Sequence, residues 1–356
     1  VLIQGSGAEG ALLVAAAETV GARGLAEIAA GASVPPVLLL APVRAAAVLQ
    51  RPVPQATTAQ AAAEEGAVAL RLPPGLMDPA ALRSLADPTA ERLLPTVPAV
   101  PERTIAPPLA SAALALAKLG RLLPALLAAP APEAAAQRLH LLEVPAAAVL
   151  SYPASAATSL AQVAEARVPL ENAPEARIIA FRAADGGIEH LAILVGRPEE
   201  AGEQVPLARI HSECFTGDLL GSLRCDCGPQ LRGAIRRMAE DPVGGVLLYL
   251  AQEGRGIGLV NKLRAYTLQD AGLDTLDANR ALGYGADERN FLVAATMLRS
   301  LGIERVRLLT NNPDKVAGLA ACGIEVQSRE RLVFDPNGVN DHYLATKARR
   351  FGHLLP

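Results

Sequence analysis

Three of the chain's four cysteines, Cys214, Cys225 and Cys227, fall in one polar stretch, RIHSECFTGDLLGSLRCDCGPQ, between Arg209 and Gln230. The spacing C-x10-C-x-C lets a close pair and a more distant third thiol reach three corners of a tetrahedron, as zinc asks of thiolates. Any fold that uses this stretch must therefore bring both ends of the intervening loop to one point. Structural free cysteines are usually buried among apolar neighbours. These three are flanked by His211, Glu213, Arg224 and Asp226. Two readings stay open on the residues alone. In one, His211 closes a structural zinc site as a fourth ligand. In the other, the three thiolates leave a position for water and the zinc is catalytic.

A chain of 356 residues has room for two domains. Its 51% hydrophobic and 19% charged residues suit an ordinary soluble globular protein. Four cysteines are too few for a disulfide framework, so metal binding in a reducing compartment, the cytoplasm, is expected. A net charge of -3 gives no reason to expect nucleic acid or an anionic membrane as partner. No uninterrupted apolar run reaches about 18 residues, so no transmembrane helix is expected. The chain opens on Val1 and shows no signal peptide.

Composition divides the chain. Up to about residue 165 it is dominated by Ala, Leu, Val and Pro, and Lys118 is the only lysine before Lys262. This half reads as α/β, with a strand over 34–43 and Ala-rich helices over 11–31 and 108–123. It holds no cluster of Asp, Glu, His or Cys. Residues 150–174 read as a junction, a helix followed by a Pro-marked turn. The boundaries expected are 1–155 and 165–356. In the second domain, strands are expected over 177–183, 206–213, 244–252, 305–312 and 324–332, with a hairpin turning at Asp185-Gly186-Gly187. Helices are expected over 230–240, 259–272, 287–302 and 314–323, the third with Asp287 as N-cap. The fold class is α/β, with α+β as the alternative: a mixed sheet flanked by helices.

Beyond the cysteines, EGRGIG (253–258) sits between a buried strand and a helix. It lacks the lysine of a P-loop. A Gly-rich strand-to-helix turn can still hold phosphate on its N–H groups, and Arg255 adds a bidentate cation. A tight turn without ligand is the plain alternative. Asp287 and Arg289 in ADERNF read locally as a helix cap and a solvated arginine. Thr310, Asn311, Asn312 and Lys315 close a strand and open a helix, where they either meet phosphate or cap. Cys322, among Ala and Gly, reads as a small core residue.

Taken in order, RIHSECFTGD, SLRCDCG, QEGRGIGL, NKLRAYTLQD, ADERNF and RLLTNNPDK make the segment from about Glu165 to Pro356 resemble the GTP cyclohydrolase II family. The resemblance implies zinc-dependent hydrolysis of GTP, opening riboflavin synthesis. The products would be 2,5-diamino-6-ribosylamino-4(3H)-pyrimidinone 5′-phosphate, formate and diphosphate. Cys214, Cys225 and Cys227 would hold one Zn²⁺ per subunit, and Mg²⁺ would accompany the triphosphate. GTP would be held by Arg209, Ile210, His211, Ser212, Glu213, Gln230, Glu253, Gly254, Arg255, Thr275, Thr310 and Lys315. Asp287 corresponds to the proton acceptor and Arg289 to the proposed nucleophile, with electrostatic stabilisation as its rival role. Tyr266 matches a tyrosine near the reacting base, and a homodimer is expected. One departure is Leu250-Ala251 where many members read H-R, which removes a positive charge near the phosphates.

The first half is similar to the 3,4-dihydroxy-2-butanone 4-phosphate synthase family in its order of elements. Of that family's D-R-E-N-E-G-D stretch, only Glu9 and Gly10 remain, ahead of Ala17-Glu18-Thr19-Val20. Its H-T-E-A segment falls at Leu109-Ala110-Ser111-Ala112, without histidine or glutamate. Synthase chemistry needs those carboxylates for Mg²⁺ and proton transfer. This half is therefore expected to be catalytically dead.

Overall fold

Several short apolar runs too brief for helices, such as VLLL (37–40) and GVLLYL (245–250), become strands, together with more polar segments at the sheet edges. They assemble into two seven-stranded sheets. The computed structural model describes residues 1–50, 66–90, 100–102, 105–334, 337–340, 345–346, 348–350, 352 and 354. They group into two units. The first is Val1–Tyr152 with Val260–Asp287, and the second is Pro153–Leu259 with Glu288–Pro356.

The first unit contains β1 (Leu2–Gln4), β2 (Ala11–Ala16), β3 (Val37–Leu40), β4 (Val68–Arg71), β5 (Val100–Glu102), β6 (Ala125–Ala131) and β7 (Glu143–Pro145). They are ordered β5-β4-β3-β6-β2-β1-β7, antiparallel except for β1 against β7. Helix Pro107–Leu119 lays Leu109, Ala113, Leu114 and Ala117 on Ile3, Leu12, Val14, Leu39 and Leu126. The helix expected over 11–31 is instead a strand followed by the shorter helix Ala22–Gly31. Alanine favours helix in isolation, but Ala11–Ala16 lies between β1 and β6 and pairs with both, so tertiary pairing overrides propensity.

The second unit adds β8 (Ala161–Arg167), β9 (Arg177–Arg182), β10 (His190–Val195), β11 (Leu207–Ser212), β12 (Gly245–Leu250), β13 (Arg305–Leu309) and β14 (Glu325–Glu330). They are ordered β14-β13-β11-β12-β10-β9-β8. β8, β9, β10 and β12 pair antiparallel, and β12, β11, β13 and β14 pair parallel. This is a mixed sheet flanked by helices. Ala208, Ile210, Val246 and Leu248 point to one face, under Val293, Ala294, Met297 and Leu298 of helix Phe291–Ser300. Leu207, Leu247 and Leu309 point to the other, under Ala234 and Met238 of helix Cys227–Ala239. Coverage on both faces explains why β12 reads as the near-continuous apolar run GVLLYL.

Two local expectations need correction. β8 lies in the stretch read as a junction; every residue of it is exposed, so it carries no apolar signal. Helix Phe291–Ser300 starts later than expected, and its N-cap is Asn290, whose Oδ1 accepts from Leu292 N at 3.0 Å, not Asp287. Val260–Asp287 groups with the first unit. No helix among the described residues is long and apolar enough to cross a membrane.

At the amino ends of the parallel strands, Arg307 braces the second sheet. It donates to Asp241 Oδ1 and Oδ2 at 2.8 and 2.7 Å, to Val205 O at 2.9 Å and to Glu330 Oε1 at 3.2 Å. Asp241 is buried. Arg307→Met should therefore destabilise the protein by about 3 kcal/mol, because the Asp241 carboxylate stays buried and loses its cation. A urea titration checks this, and an unchanged midpoint would contradict it.

Candidate functional site

β13, β11 and β12 are adjacent and parallel, so their carboxyl ends open on one edge. That edge is where open α/β sheets place ligands. β11 leads there into His211–Cys214, β12 into Glu253–Arg255 and β13 into Thr310–Lys315.

Cys214 leaves β11 and begins a single π-helical turn, Phe215–Leu219. Such turns are rare and gather at functional sites. The chain returns at Cys225, and Cys227 is the first residue of helix Cys227–Ala239. The three sulfurs lie within 4.8 Å of one another, and Cys214 Sγ is 3.8 Å from Cys225 Sγ. Tetrahedral zinc with Zn–S bonds near 2.3 Å would set its sulfurs about 3.8 Å apart, so this donor set fits the ion. With protons as its only cations the cluster resists ionisation. The hydrogen bond with Cys214 pushes the Cys225 thiol up to about 11, burial adds to it, and Cys227 opposes it. Cys227 gains from its place at a helix N-terminus, where partial positive charge favours a thiolate.

Asp218 ties this arrangement together. Its Oδ2 accepts from Cys214 N at 2.9 Å and from Tyr249 Oη at 3.1 Å, and both its oxygens lie 3.1 Å from His211 Nε2. The His211 ring stacks on Tyr249 at 5.6 Å. Burial pushes the imidazole pKa down despite Asp218, with Arg209 and Lys315 acting in the same direction as burial. His211 is therefore a neutral ring donating from Nε2 to the carboxylate. His211 is not among the residues whose ligand atoms lie within 4.8 Å of one another, which speaks against it as the fourth metal ligand.

Gly217 is fixed by space. A Cβ there would lie 2.6 Å from Cys225 Sγ and 3.0 Å from Cys214 Sγ, and its N–H donates to Cys214 Sγ at 3.3 Å. Gly228 is similar, since a Cβ there would meet Gly217 O at 2.4 Å. The two glycines let the loop and the helix start close on the thiols.

Arg209 is buried on β11. It donates through Nη1 to Leu309 O at 3.1 Å and through Nη2 to Gln230 Oε1, and Gln230 Nε2 in turn donates to Asp226 Oδ2. Burial lowers its pKa to about 10, so it remains a cation at neutral pH. Lys315 Nζ donates to Ile210 O at 2.8 Å. Of six buried side-chain polar atoms without a hydrogen-bond partner among the described residues, three, Arg209 Nε, Ser212 Oγ and Gln252 Oε1, belong to this region. Orphans of this kind are rare in folded proteins, and a bound polar ligand would satisfy them.

The turn after β12 bends sharply. Gly254, Arg255 and Gly256 all adopt positive φ, and Arg255, at φ 64°, carries a side chain in that region. Strain of this kind gathers at ligand clamps. Glu253 holds the turn, its Oε2 accepting from Phe215 N at 2.7 Å and its Oε1 from Gly254 N at 2.9 Å. Glu253 thus joins the turn to the cysteine loop. After β13, Thr310 Oγ1 accepts from Asn312 N at 3.1 Å, and Asn312 Oδ1 caps helix Pro313–Ala321 by accepting from Asp314 N at 2.9 Å.

The chain's relatives sharpen this picture. The family model for GTP cyclohydrolase II matches residues 161–331. The GTP cyclohydrolase-2 of Yersinia pestis is 52% identical over 178 residues, which make up 50% of this chain and 89% of that protein. The chain belongs to the GTP cyclohydrolase II family. The GTP cyclohydrolase-2 of Azospirillum brasilense is 55% identical over 251 residues, 69% of this chain and 64% of that protein. The chain thus spans under two thirds of the length of that relative. A solved two-domain 3,4-dihydroxy-2-butanone 4-phosphate synthase from A. baumannii aligns over 94% of this chain and 96% of that chain at 19% identity. Its TM-score of 0.32 is too low to bear on fold or function.

Within this family member, the structure gathers Arg209, Ile210, His211, Ser212, Glu213, Gln230, Glu253, Gly254, Arg255, Thr310 and Lys315 with the cysteines in the second unit. Arg289 is there too, its guanidinium carbon 5.7 Å from the Phe291 ring centroid. Tyr266, Thr275 and Asp287 belong to the segment grouped with the first unit. Tyr266 lies on helix Leu259–Asp270, and Thr275 opens helix Thr275–Ala281. Sequence reasoning missed Asp218, Tyr249 and Gly217. Asp218 follows Cys214 by four residues, but no spacing rule marks a carboxylate that turns back on the backbone of a ligand. Asp218→Ala should weaken zinc binding by about 10–100-fold, as expected for a group that orients a metal ligand. Competition with a chromophoric chelator measures this, and unchanged affinity would show that Asp218 does not orient Cys214.

Proposed function

We propose that the chain hydrolyses GTP to 2,5-diamino-6-ribosylamino-4(3H)-pyrimidinone 5′-phosphate, formate and diphosphate. The observation that carries this reading is the convergence of three thiols on the carboxyl edge of three adjacent parallel strands, beside loops bearing the family's strings. Zinc held by Cys214, Cys225 and Cys227 would supply Lewis-acid activation of water at its fourth position.

The chain's own residues do the rest. Arg209 and Lys315 bring two buried cations to the edge where a triphosphate would lie, and burial keeps their charge poorly screened. Ser212 Oγ and Arg209 Nε, without partners among the described residues, are free to bond a nucleotide. Arg255 brings a guanidinium toward phosphate, while Glu253 holds the turn through Phe215 N and Gly254 N. Thr275 and Thr310 complete the nucleotide contacts, with Mg²⁺ accompanying the triphosphate. Asp287 is assigned as proton acceptor, and Tyr266 is assigned a place near the guanine. A guanidinium stays protonated in proteins, so Arg289 is assigned to stabilise charge at the α-phosphate. The active form is a cytoplasmic homodimer.

The synthase-like part of the first unit, Val1–Tyr152, is proposed to be catalytically silent. Glu9, a survivor of the acidic synthase stretch, accepts from Ser6 N at 2.8 Å and from Ser6 Oγ at 3.1 Å, closing its own turn.

Purified full-length protein should release formate from GTP and none from UTP. Cys225→Ser should lower the rate by at least about 10³-fold, as when a catalytic metal is lost. Ribulose 5-phosphate with Mg²⁺ should give no product. No formate from GTP would overturn the reading, and product from ribulose 5-phosphate would overturn the silence of Val1–Tyr152.

A further inference from the structure

Val260–Asp287 carries NKLRAYTLQD and the first two residues of ADERNF, and several of its side chains are held by residues of Val1–Tyr152. Arg264 Nη2 lies 2.7 Å from Glu18 Oε2 and Nε lies 2.8 Å from Asp87 Oδ2, while Nη1 donates to Asn261 Oδ1 at 2.8 Å. Each carboxylate is also anchored on the other side. Glu18 Oε1 accepts from Leu123 N at 2.7 Å, and Asp87 Oδ1 accepts from Thr89 N at 2.9 Å and Thr89 Oγ1 at 2.7 Å. Arg44, buried, donates to Leu85 O at 2.7 Å and Ser84 O at 3.1 Å and so fixes the helix end that presents Asp87.

A second set of contacts points the same way. Asn261, 0% exposed, donates to Arg121 O at 2.9 Å and to Tyr284 Oη at 3.0 Å, and Tyr284 Oη donates to Leu122 O at 2.6 Å. Gly283 has φ 87°, and a Cβ there would lie 2.8 Å from Pro124 Cγ and 3.2 Å from Ala41 Cβ. A segment of two short helices cannot hold itself together in water.

We propose that the first unit is the folding partner of Val260–Asp287, and that Glu18 and Asp87 are positioning residues acting through Arg264. Resting on the proposed GTP reaction, this gives the first unit a task within it: ordering the segment that carries Tyr266, Thr275 and Asp287. The test uses the full chain. Glu18→Gln combined with Asp87→Asn is compared with wild type, and Tyr284→Phe serves as a milder variant should the pair fail to fold. Amide hydrogen exchange is followed by mass spectrometry, alongside zinc content and the GTP rate.

The double variant should speed exchange across 260–287 by about tenfold or more, as for a locally released element, while β10 to β12 keep wild-type protection and zinc content is unchanged. kcat should fall more than KM rises, because the segment carries the proton acceptor. Tyr284→Phe should show the same pattern, smaller. Wild-type exchange in 260–287 for both variants, or faster exchange only in step with β10 to β12, would overturn the proposal. Should wild type release no formate from GTP, the proposed reaction fails, and the exchange result alone still decides whether the first unit orders the segment.

Discussion

Three thiolates repel one another, so a metal site built from them has to be assembled by the rest of the fold before the metal can repay that repulsion. Here the assembly turns on Asp218. Its carboxylate receives the backbone N–H of Cys214, the hydroxyl of Tyr249 and the imidazole of His211. It thereby closes the π-turn that carries the chain from β11 back toward Cys225. The turn closes only because Gly217 has no side chain to strike the sulfurs and Gly228 none to strike Gly217. Glu253 then fastens the neighbouring strand's turn to the same loop through Phe215 N. The candidate phosphate-binding turn and the candidate metal site are thus parts of one hydrogen-bonded body.

The sheet supplies the platform. β11, β12 and β13 run parallel, which aims three loops at one edge, and helices on both faces keep the strands dry. At the opposite end of these strands Arg307 and Asp241 brace the sheet. Polar side chains at the loop edge mostly serve one another: Arg209 with Gln230, Gln230 with Asp226, Thr310 with Asn312. A network of this kind specifies a single arrangement, and its few unsatisfied atoms mark where a ligand belongs.

Much of this was legible in the sequence, and the exceptions have physical causes. β12 announces itself because a strand buried on both faces is apolar almost throughout. The cysteine trio announces its metal chemistry because thiol spacing survives any fold that joins them. β8 was invisible because every residue of it is exposed, and β2 was misread because alanine carries a helical preference that pairing on both sides overrides. Asp287 looked like a helix cap because Asp and Asn cap alike; Asn290 stands nearer the first apolar residue of the helix and takes the role. The grouping of Val260–Asp287 with Glu18 and Asp87 is a contact between residues about 180 to 250 positions apart, and no local pattern encodes such a pairing.

X-ray absorption at the zinc edge of the purified, metal-replete protein tests the site most directly. Three sulfur neighbours at about 2.3 Å and one oxygen or nitrogen are expected, the signature of a thiolate trio with one position left for chemistry. Four sulfurs, fewer than three, or no bound zinc would contradict the assignment of Cys214, Cys225 and Cys227 as an open metal site.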